Sequence, residues 1–273
     1  MPTLSLGNPM KILGILNLTT DSFSDGGKYL EPIEALAHAD SLLADGADII
    51  DIGAAASNVD AAPVPPQTEI ARLDSVVAAL HDMGASLSID SFSTPVQRWA
   101  LAQGVDYLND IHGFADEALY PDLAASTATR LIVMHMVQRE GLATRADVSP
   151  DEIFERILTF FEKRLTALTQ AGVAPERLIL DPGMGFFLST NPQASLTVLG
   201  RLPELADAFG LPLLVSVSRK SFLKALAGQG EVGEASLAAE LFAVTQGADY
   251  IRTHAPGPLR DALKMLKPME DGC

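Results

Sequence analysis

The sequence predicts an α/β fold of one kind, a (β/α)8 TIM barrel built as a single domain over residues 1–273, and three observations lead there. Short apolar β-like runs alternate with helical segments eight times, and each run closes on a polar residue. The run from Leu213, Leu-Leu-Val-Ser-Val-Ser-Arg-Lys-Ser-Phe, shows no polar alternation before it ends in two adjacent cations, Arg219 and Lys220. That is the habit of a parallel strand covered on both faces. A glycine recurs at the helix-to-strand turn, in Asp45-Gly46-Ala47-Asp48, Gln103-Gly104-Val105-Asp106 and Gln246-Gly247-Ala248-Asp249, where it suits a left-handed cap.

The predicted strands cover residues 11–18, which contain Asn17; 48–53, with Asp51; 86–90, ending at Asp90; and 107–111, with Asn109 and Asp110. They continue with 131–136, carrying His135; 177–181, ending at Asp181; the run from Leu213; and 250–254, with Arg252 and His254. Helices are predicted over 31–45, 67–83, 94–103, 120–128, 149–172, 191–209, 235–246 and 258–266. The clearest is 149–172. Ser149-Pro150-Asp151-Glu152 reads as a capping box with proline at the first helical position, Ile153, Ile157, Phe161, Leu165 and Leu168 form one apolar stripe, and Gly172 is the stop. Two long connections, 19–30 and 54–66, fall after strands, where barrel enzymes place mobile catalytic parts.

A length of 273 residues is close to the ~250 typical of one such barrel. A hydrophobic fraction of 48% leaves ample core material. The formal charge of −16 repels nucleic acid and anionic membranes, so an anionic substrate must be met by a local cluster of cations. The only cysteine, Cys273, excludes an intramolecular disulfide and a cysteine-based zinc site. With no secretory pattern at the amino end and no apolar run near ~20 residues, a cytoplasmic enzyme is expected.

All strand ends of a barrel face one rim, so polar residues scattered in sequence converge in space. Asp90, Asn109 and Asp181 offer acceptors and a donor suited to a flat heterocycle carrying amino and ring N–H groups, and Lys220 closes that pocket from the next strand. Asn17, Arg252 and His254 come from the first and eighth strands, which meet when the barrel closes, and together suit an anion. If the anion is a diphosphate it brings Mg²⁺, with Asn17 as a ligand and Asp21 or Asp25 nearby. His135 stays open between a site role and a packing role, whereas His38, His81 and His112 carry no partner pattern. No Walker loop, His-Glu-x-x-His or Gly-x-Ser-x-Gly competes, and Gly183-Met184-Gly185-Phe186 lacks the third glycine of a dinucleotide fingerprint and reads as a tight turn.

The ordered motifs resemble dihydropteroate synthase over essentially the whole chain. They are Gly14-Ile-Leu-Asn17-Leu-Thr-Thr-Asp21-Ser-Phe23-Ser-Asp25-Gly-Gly27, Asp51-Ile-Gly53, Ser88-Ile-Asp90-Ser91, Leu108-Asn109-Asp110-Ile111, Leu180-Asp181-Pro-Gly183, Ser218-Arg219-Lys220-Ser221 and Arg252-Thr-His254. The resemblance implies condensation of 7,8-dihydropterin-CH2-diphosphate with p-aminobenzoate in folate biosynthesis. It implies a pterin held by Asp90, Asn109, Asp181 and Lys220, with Asp90, Asp181 and Lys220 catalytic. It also implies a diphosphate and Mg²⁺ held by Asn17, Arg252 and His254, p-aminobenzoate met by Phe23, Ser57 and Ser221, and a homodimer.

The chain departs from the usual family pattern where Ala54-Ala-Ala-Ser57-Asn58-Val59-Asp60 replaces Gly-Glu-Ser-Thr-Arg-Pro-Gly, where Thr20 replaces a proline, and where Phe187-Leu188 replaces Gly-Lys. These departures, with Asp181 to Leu188, Leu211 to Leu223, Ala118 to Asp122 and Arg252-Thr-His-Ala-Pro, resemble the sulfonamide-resistance (Sul-type) branch and imply tolerance of sulfonamides. Two other readings are a methyltetrahydrofolate-dependent methyltransferase domain, which needs no diphosphate site, and a non-catalytic pterin-binding paralogue.

Overall fold

A computed structural model of the chain describes residues 10–18, 32–55, 63–137, 147–228 and 232–271, with side chains described as far as residue 266. Eight parallel strands carry the fold: β1 (Lys11–Asn17), β2 (Ile49–Gly53), β3 (Leu87–Asp90), β4 (Tyr107–Asp110), β5 (Arg130–Met134), β6 (Leu178–Asp181), β7 (Leu214–Val215) and β8 (Tyr250–Thr253). The hydrogen-bonded order is β6-β5-β4-β3-β2-β1-β8-β7. A parallel bridge between Leu180 and Leu213, with the Leu180 N–H donating to Pro212 O at 2.9 Å, joins the two ends and closes the barrel. The helices outside it are α1 (Pro32–Ala44), α2 (Pro66–Asp82), α3 (Thr94–Gln103), α4 (Tyr120–Ala125), α5 (Pro150–Gln170), α6 (Pro192–Gly200), α7 (Leu202–Phe209), α8 (Ser221–Ala227), α9 (Gly233–Thr245) and α10 (Pro256–Asp271). The α/β barrel expected from the sequence is therefore the fold. None of the described helices is long and apolar enough to cross a membrane.

Strand geometry sends alternate side chains to opposite faces, and the two faces have different content. Outward residues such as Ile12, Ile50, Ile89, Leu108, Leu131, Leu178 and Ile251 pack under the helices in the main core. Inward residues Leu13, Ile49, Tyr107, Ile132, Ile179, Leu214 and Tyr250 form a separate plug inside the barrel. One step further toward the carboxyl ends most inward positions turn polar, with Asp51, Asn109, Asp181, Ser216 and Arg252 there. That change places the site on top of a dry floor.

The recurring Gly-x-Asp turns have two functions. Gly46, Gly104 and Gly247 take φ of +94°, +74° and +91°, the left-handed cap expected of them. The aspartate two residues on then reaches back to the preceding strand. Asp48 accepts from the Ile12 N–H at 2.7 Å, Asp106 from Leu87 at 2.9 Å and Asp249 from Leu213 at 2.9 Å. Each clamps an odd-numbered strand to its even-numbered successor at the amino-terminal rim.

Several expectations need correction. The helix predicted over 191–209 is two, α6 and α7, because Pro203 lacks an N–H and its ring would strike the Leu199 carbonyl of a continuous helix. The strand from Leu213 is short, Leu214–Val215 with the single bridge at Leu213 before it, and an unpredicted short helix, α8, follows. The helix predicted over 120–128 ends at Ala125 and is preceded by a 3-10 turn at Glu117–Leu119. Ser149 caps α5 by accepting from the Glu152 N–H at 3.3 Å, but the Glu152 carboxylate turns to Arg156 instead of completing the capping box.

Candidate active site

Strand register sets out the first part of the site. Asn17 lies beside Gly53, Gly53 beside Asp90, and Asp90 beside Asn109, one row across β1 to β4. Gly53 keeps this row open: a Cβ there would sit 3.6 Å from Asn17 Oδ1 and 3.9 Å from the Asp90 Cβ. On the far wall, Asp181 lies beside Met134 at the end of β6. A cleft in the barrel mouth is lined by Asp90, Asn109, Asp181, Ser216, Lys220 and Arg252, with Met134, Met184 and Phe187 as its apolar walls. The four residues expected around a heterocycle do converge.

Arg252 sits deeper among these groups than its predicted pairing with Asn17 and His254 implied. Its Nε donates to Asp51 Oδ2 at 2.5 Å and its Nη2 to Asp90 Oδ2 at 2.8 Å. Burial opposes its charge, but Asp51 and Asp90 more than offset this and hold its pKa above the usual arginine range. Asp51, fully buried, is a site residue whose role sequence reasoning missed; it was visible only as one more strand-end acid.

The remaining charges are tuned by burial. Desolvation lifts Asp90 to about 7, against the opposing pull of Arg252 and Lys220 and with a further push from Asp51. Asp181 is lifted to about 6 by burial, opposed by the Gly183 N–H at 2.8 Å and by Lys220 and Arg252. Burial and Arg252 bring Lys220 down to about 8, with Asp181 and Asp90 opposing, while its ammonium lies 4.6 Å from the centre of the Phe187 ring. Asn109 Oδ1, Asp51 Oδ1 and Ser216 Oγ are buried with no hydrogen-bond partner among the described residues. Buried polar atoms are normally paired, so the acceptors left open on Asn109 and Ser216, which line the cleft, mark where a ligand's donors belong.

The loop after β6 is the tight turn expected of it, and its glycines are required. Gly183 has φ +75°, and a Cβ there would come within 2.4 Å of His135 O. Gly185, φ +66°, lets Ser221 Oγ approach to 3.1 Å of the Cβ position and brings Lys220 alongside. Gly183→Ala is expected to lower stability by about 2 kcal/mol, from left-handed strain plus the carbonyl clash, in a urea unfolding curve; a change below about 0.5 kcal/mol would contradict this reading of the loop.

His135 resolves toward packing. Its Nδ1 lies 3.2 Å from Pro182 O, which can only accept, so Nδ1 carries the proton; burial holds the ring neutral, down to about 4. Asp110 organises the turn after β4 by accepting from the His112 and Phe114 N–H groups and from Gln97 Nε2. His254 is held by Ser218, whose Oγ lies 3.0 Å from Nδ1 and accepts from the His254 backbone N–H at 3.2 Å. Burial, then Arg219, Arg252, Lys220 and His38, push its pKa down to about 3. Arg219 is exposed and carries φ +58°, a strained backbone at the turn into α8. Ser221 opens α8 beside Gly185. Asp21, Phe23, Asp25 and Ser57 lie outside the described residues.

A larger cavity, about 680 Å³, opens beside α5 and shares Ile111 and nothing else with the polar cleft. Its charges are largely spent internally, Arg156 on Glu152 and Arg164 on Phe114 O and Tyr120. Size and chemistry therefore disagree, and the converging acids and unpartnered acceptors make the smaller cleft the candidate functional site. Among the described residues no cluster of three or more His, Cys, Asp or Glu side chains could hold a metal. Asn17 Oδ1 is a suitable single oxygen ligand, which fits Mg²⁺ bound chiefly through phosphate and water.

Comparison with known proteins agrees with this geometry. Residues 13–254 match the family described as pterin binding enzyme. The chain is 55% identical over 262 residues to dihydropteroate synthase type-2 of Escherichia coli, covering 95% of this chain and 96% of that one. It is 54% identical to dihydropteroate synthase type-1 of Mycolicibacterium fortuitum, covering 94% and 92%. The solved Burkholderia cenocepacia dihydropteroate synthase complexed with 7,8-dihydropteroate superposes with a TM-score of 0.85 at 33% identity, covering 97% and 92%. Given this cleft, this barrel and identity above half along nearly its full length, the chain belongs to the dihydropteroate synthase family.

Proposed function

We propose that the cleft seats the pterin of 7,8-dihydropterin-CH2-diphosphate and joins its methylene to the amine of p-aminobenzoate, releasing dihydropteroate and diphosphate. The observation that carries this is the set of buried, unpartnered acceptors facing Asp90, Asp181 and Lys220 in one cleft. Asp181 and Asn109 take the ring's amino and N–H groups, and Lys220 donates to its carbonyl and ring nitrogen. As the methylene C–O bond breaks, positive charge spreads into the pterin and negative charge onto the diphosphate. Asp90 faces the first, and Asn17, His254 and Arg252 face the second. Preplaced charges of this kind lower the barrier because they need no reorganisation. The amine lone pair then forms the C–N bond and the amine gives up a proton. Mg²⁺, when bound, would neutralise phosphate charge, with Asn17 as its protein ligand. Diphosphate release by purified protein given both substrates tests the activity; pterin binding without turnover would favour a non-catalytic paralogue.

Pterin binding has a signed pH dependence. Folded pKa values of about 6 for Asp181 and about 7 for Asp90 lie above the ordinary carboxylate range. In the free enzyme these acids therefore favour folding below about pH 4, and that contribution is lost as pH rises through 6 to 7. Ring N–H donors need the ionised acid, so pterin affinity rises about tenfold from pH 5 to pH 7 in titration calorimetry. A flat or falling profile would remove Asp181 from the ring-binding role.

Ser221 meets p-aminobenzoate at the rim; the family resemblance assigns Phe23 and Ser57 to the same substrate. Phe187, standing where the family pattern has glycine, narrows that rim beside Lys220 and supports discrimination against the bulkier sulfonamides. Sulfamethoxazole is expected to inhibit with a constant well above the KM for p-aminobenzoate, whereas inhibition near that KM would refute tolerance. A cytoplasmic homodimer completes the reading, to be checked by sedimentation.

A further inference from the structure

Glu240 on α9 lies on the outer side of β8, away from the cleft, yet it is 2% exposed and its Oε1 has no partner among the described residues. Its carboxyl meets the hydroxyl of Thr253, which is fully buried. Thr253 Oγ1 lies 3.5 Å from Ser218 Oγ, and Ser218 Oγ lies 3.0 Å from His254 Nδ1. Two backbone groups constrain this chain of hydroxyls: Thr253 accepts from the Ala255 N–H at 3.1 Å and Ser218 from the His254 N–H at 3.2 Å. Each hydroxyl has one proton to give, so when all three links are made the chain points in one of two directions.

With Glu240 neutral, its O–H donates to Thr253, Thr253 to Ser218, and Ser218 to His254 Nδ1. The neutral imidazole then carries its proton on Nε2, the nitrogen not engaged by Ser218. With Glu240 ionised the direction reverses, Nδ1–H donates to Ser218, and Nε2 becomes a bare acceptor that repels an anion. We propose that Glu240 is a positioning residue for His254, setting through Thr253 and Ser218 which ring nitrogen carries the proton. The inference rests on the reading of His254 as part of the diphosphate subsite. Burial supports the neutral state by lifting Glu240 to about 7, with Thr253 opposing. Around His254 the charged and titratable groups are Arg219, Arg252, Lys220 and His38, which act together with burial to keep the ring unprotonated.

The test uses full-length protein with ¹⁵N-labelled histidine, the ring of residue 254 being assigned by loss of its signals in His254→Ala. At pH 6 the wild-type ring is expected as the Nε2–H tautomer, shifting toward Nδ1–H by pH 8, while Glu240→Gln, which keeps a donor toward Thr253, holds Nε2–H at both. Glu240→Leu and Thr253→Val remove the chain at different links, and both should lose the preference and weaken binding of inorganic diphosphate with Mg²⁺ about tenfold. Thr253→Val keeps the question open to refutation if Glu240→Leu does not fold. A tautomer that is the same in wild type, Glu240→Leu and Thr253→Val would overturn the proposal, as would a switched tautomer with unchanged diphosphate affinity. His254→Ala tests the underlying subsite separately: unchanged diphosphate binding there would overturn the subsite, while the tautomer spectra still decide what Glu240 does.

Discussion

Lys220→Ala lowers kcat/KM by on the order of 10² to 10³, the largest loss expected of any single change in the cleft. Among the described residues lining the cleft the ammonium is the cation without a short-range carboxylate partner: Arg252 spends Nε and Nη2 on Asp51 and Asp90, whereas Lys220 rests over Phe187 and feels Asp181 and Asp90 through space. Its removal takes away the donor proposed for the ring and also a positive field that holds both acids down. The pH profile should therefore move with the rate, the acidic limb shifting upward as Asp181 and Asp90 become harder to ionise. Steady-state kinetics from pH 5 to 8 check both effects. A loss below about fivefold with an unmoved acidic limb would place Lys220 outside the chemistry.

Asp51→Ala lowers folding stability by about 3 kcal/mol, measured by urea denaturation, because it leaves a buried guanidinium with one partner where it had two. Asp51 is fully buried and its partner is 14% exposed, so water cannot make good the loss. Activity should fall as well, since Arg252 would settle entirely on Asp90 and draw that acid away from the position proposed for the ring. A loss below about 1 kcal/mol would mean that Asp90 alone satisfies the guanidinium.

The barrel and the convergence of its polar cleft were legible because both depend on periods short enough to see in a chain. Strand ends recur with every unit, and Asp90, Asn109, Asp181 and Lys220 reach one mouth simply because a barrel has one. The bond between Asp51 and Arg252 was not legible: the partners lie 201 residues apart, and nothing local distinguishes Asp51 from Asp110, which instead organises a turn. The break between α6 and α7 was present in the sequence as Pro203 but outweighed by the apolar pattern running through it. The pairing length of β7 depends on how far its neighbours reach, which no run of Val and Leu can state. The Gly-x-Asp turns were half read, the glycine as a cap and the aspartate as no more than a residue of the turn or the strand's first position.

Those aspartates give the barrel a grain. Asp48 ties β1 to β2, Asp106 ties β3 to β4 and Asp249 ties β7 to β8, while at β5 and β6 Arg177 serves instead, reaching the Thr129 and Leu123 carbonyls. The polypeptide is thus stitched in couples along its lower edge, on the opposite side from the chemistry. A nick between couples leaves both ends of every stitch on one fragment, whereas one within a couple puts them on different fragments, so the natural seams for permuting or dividing this chain fall after each even-numbered strand.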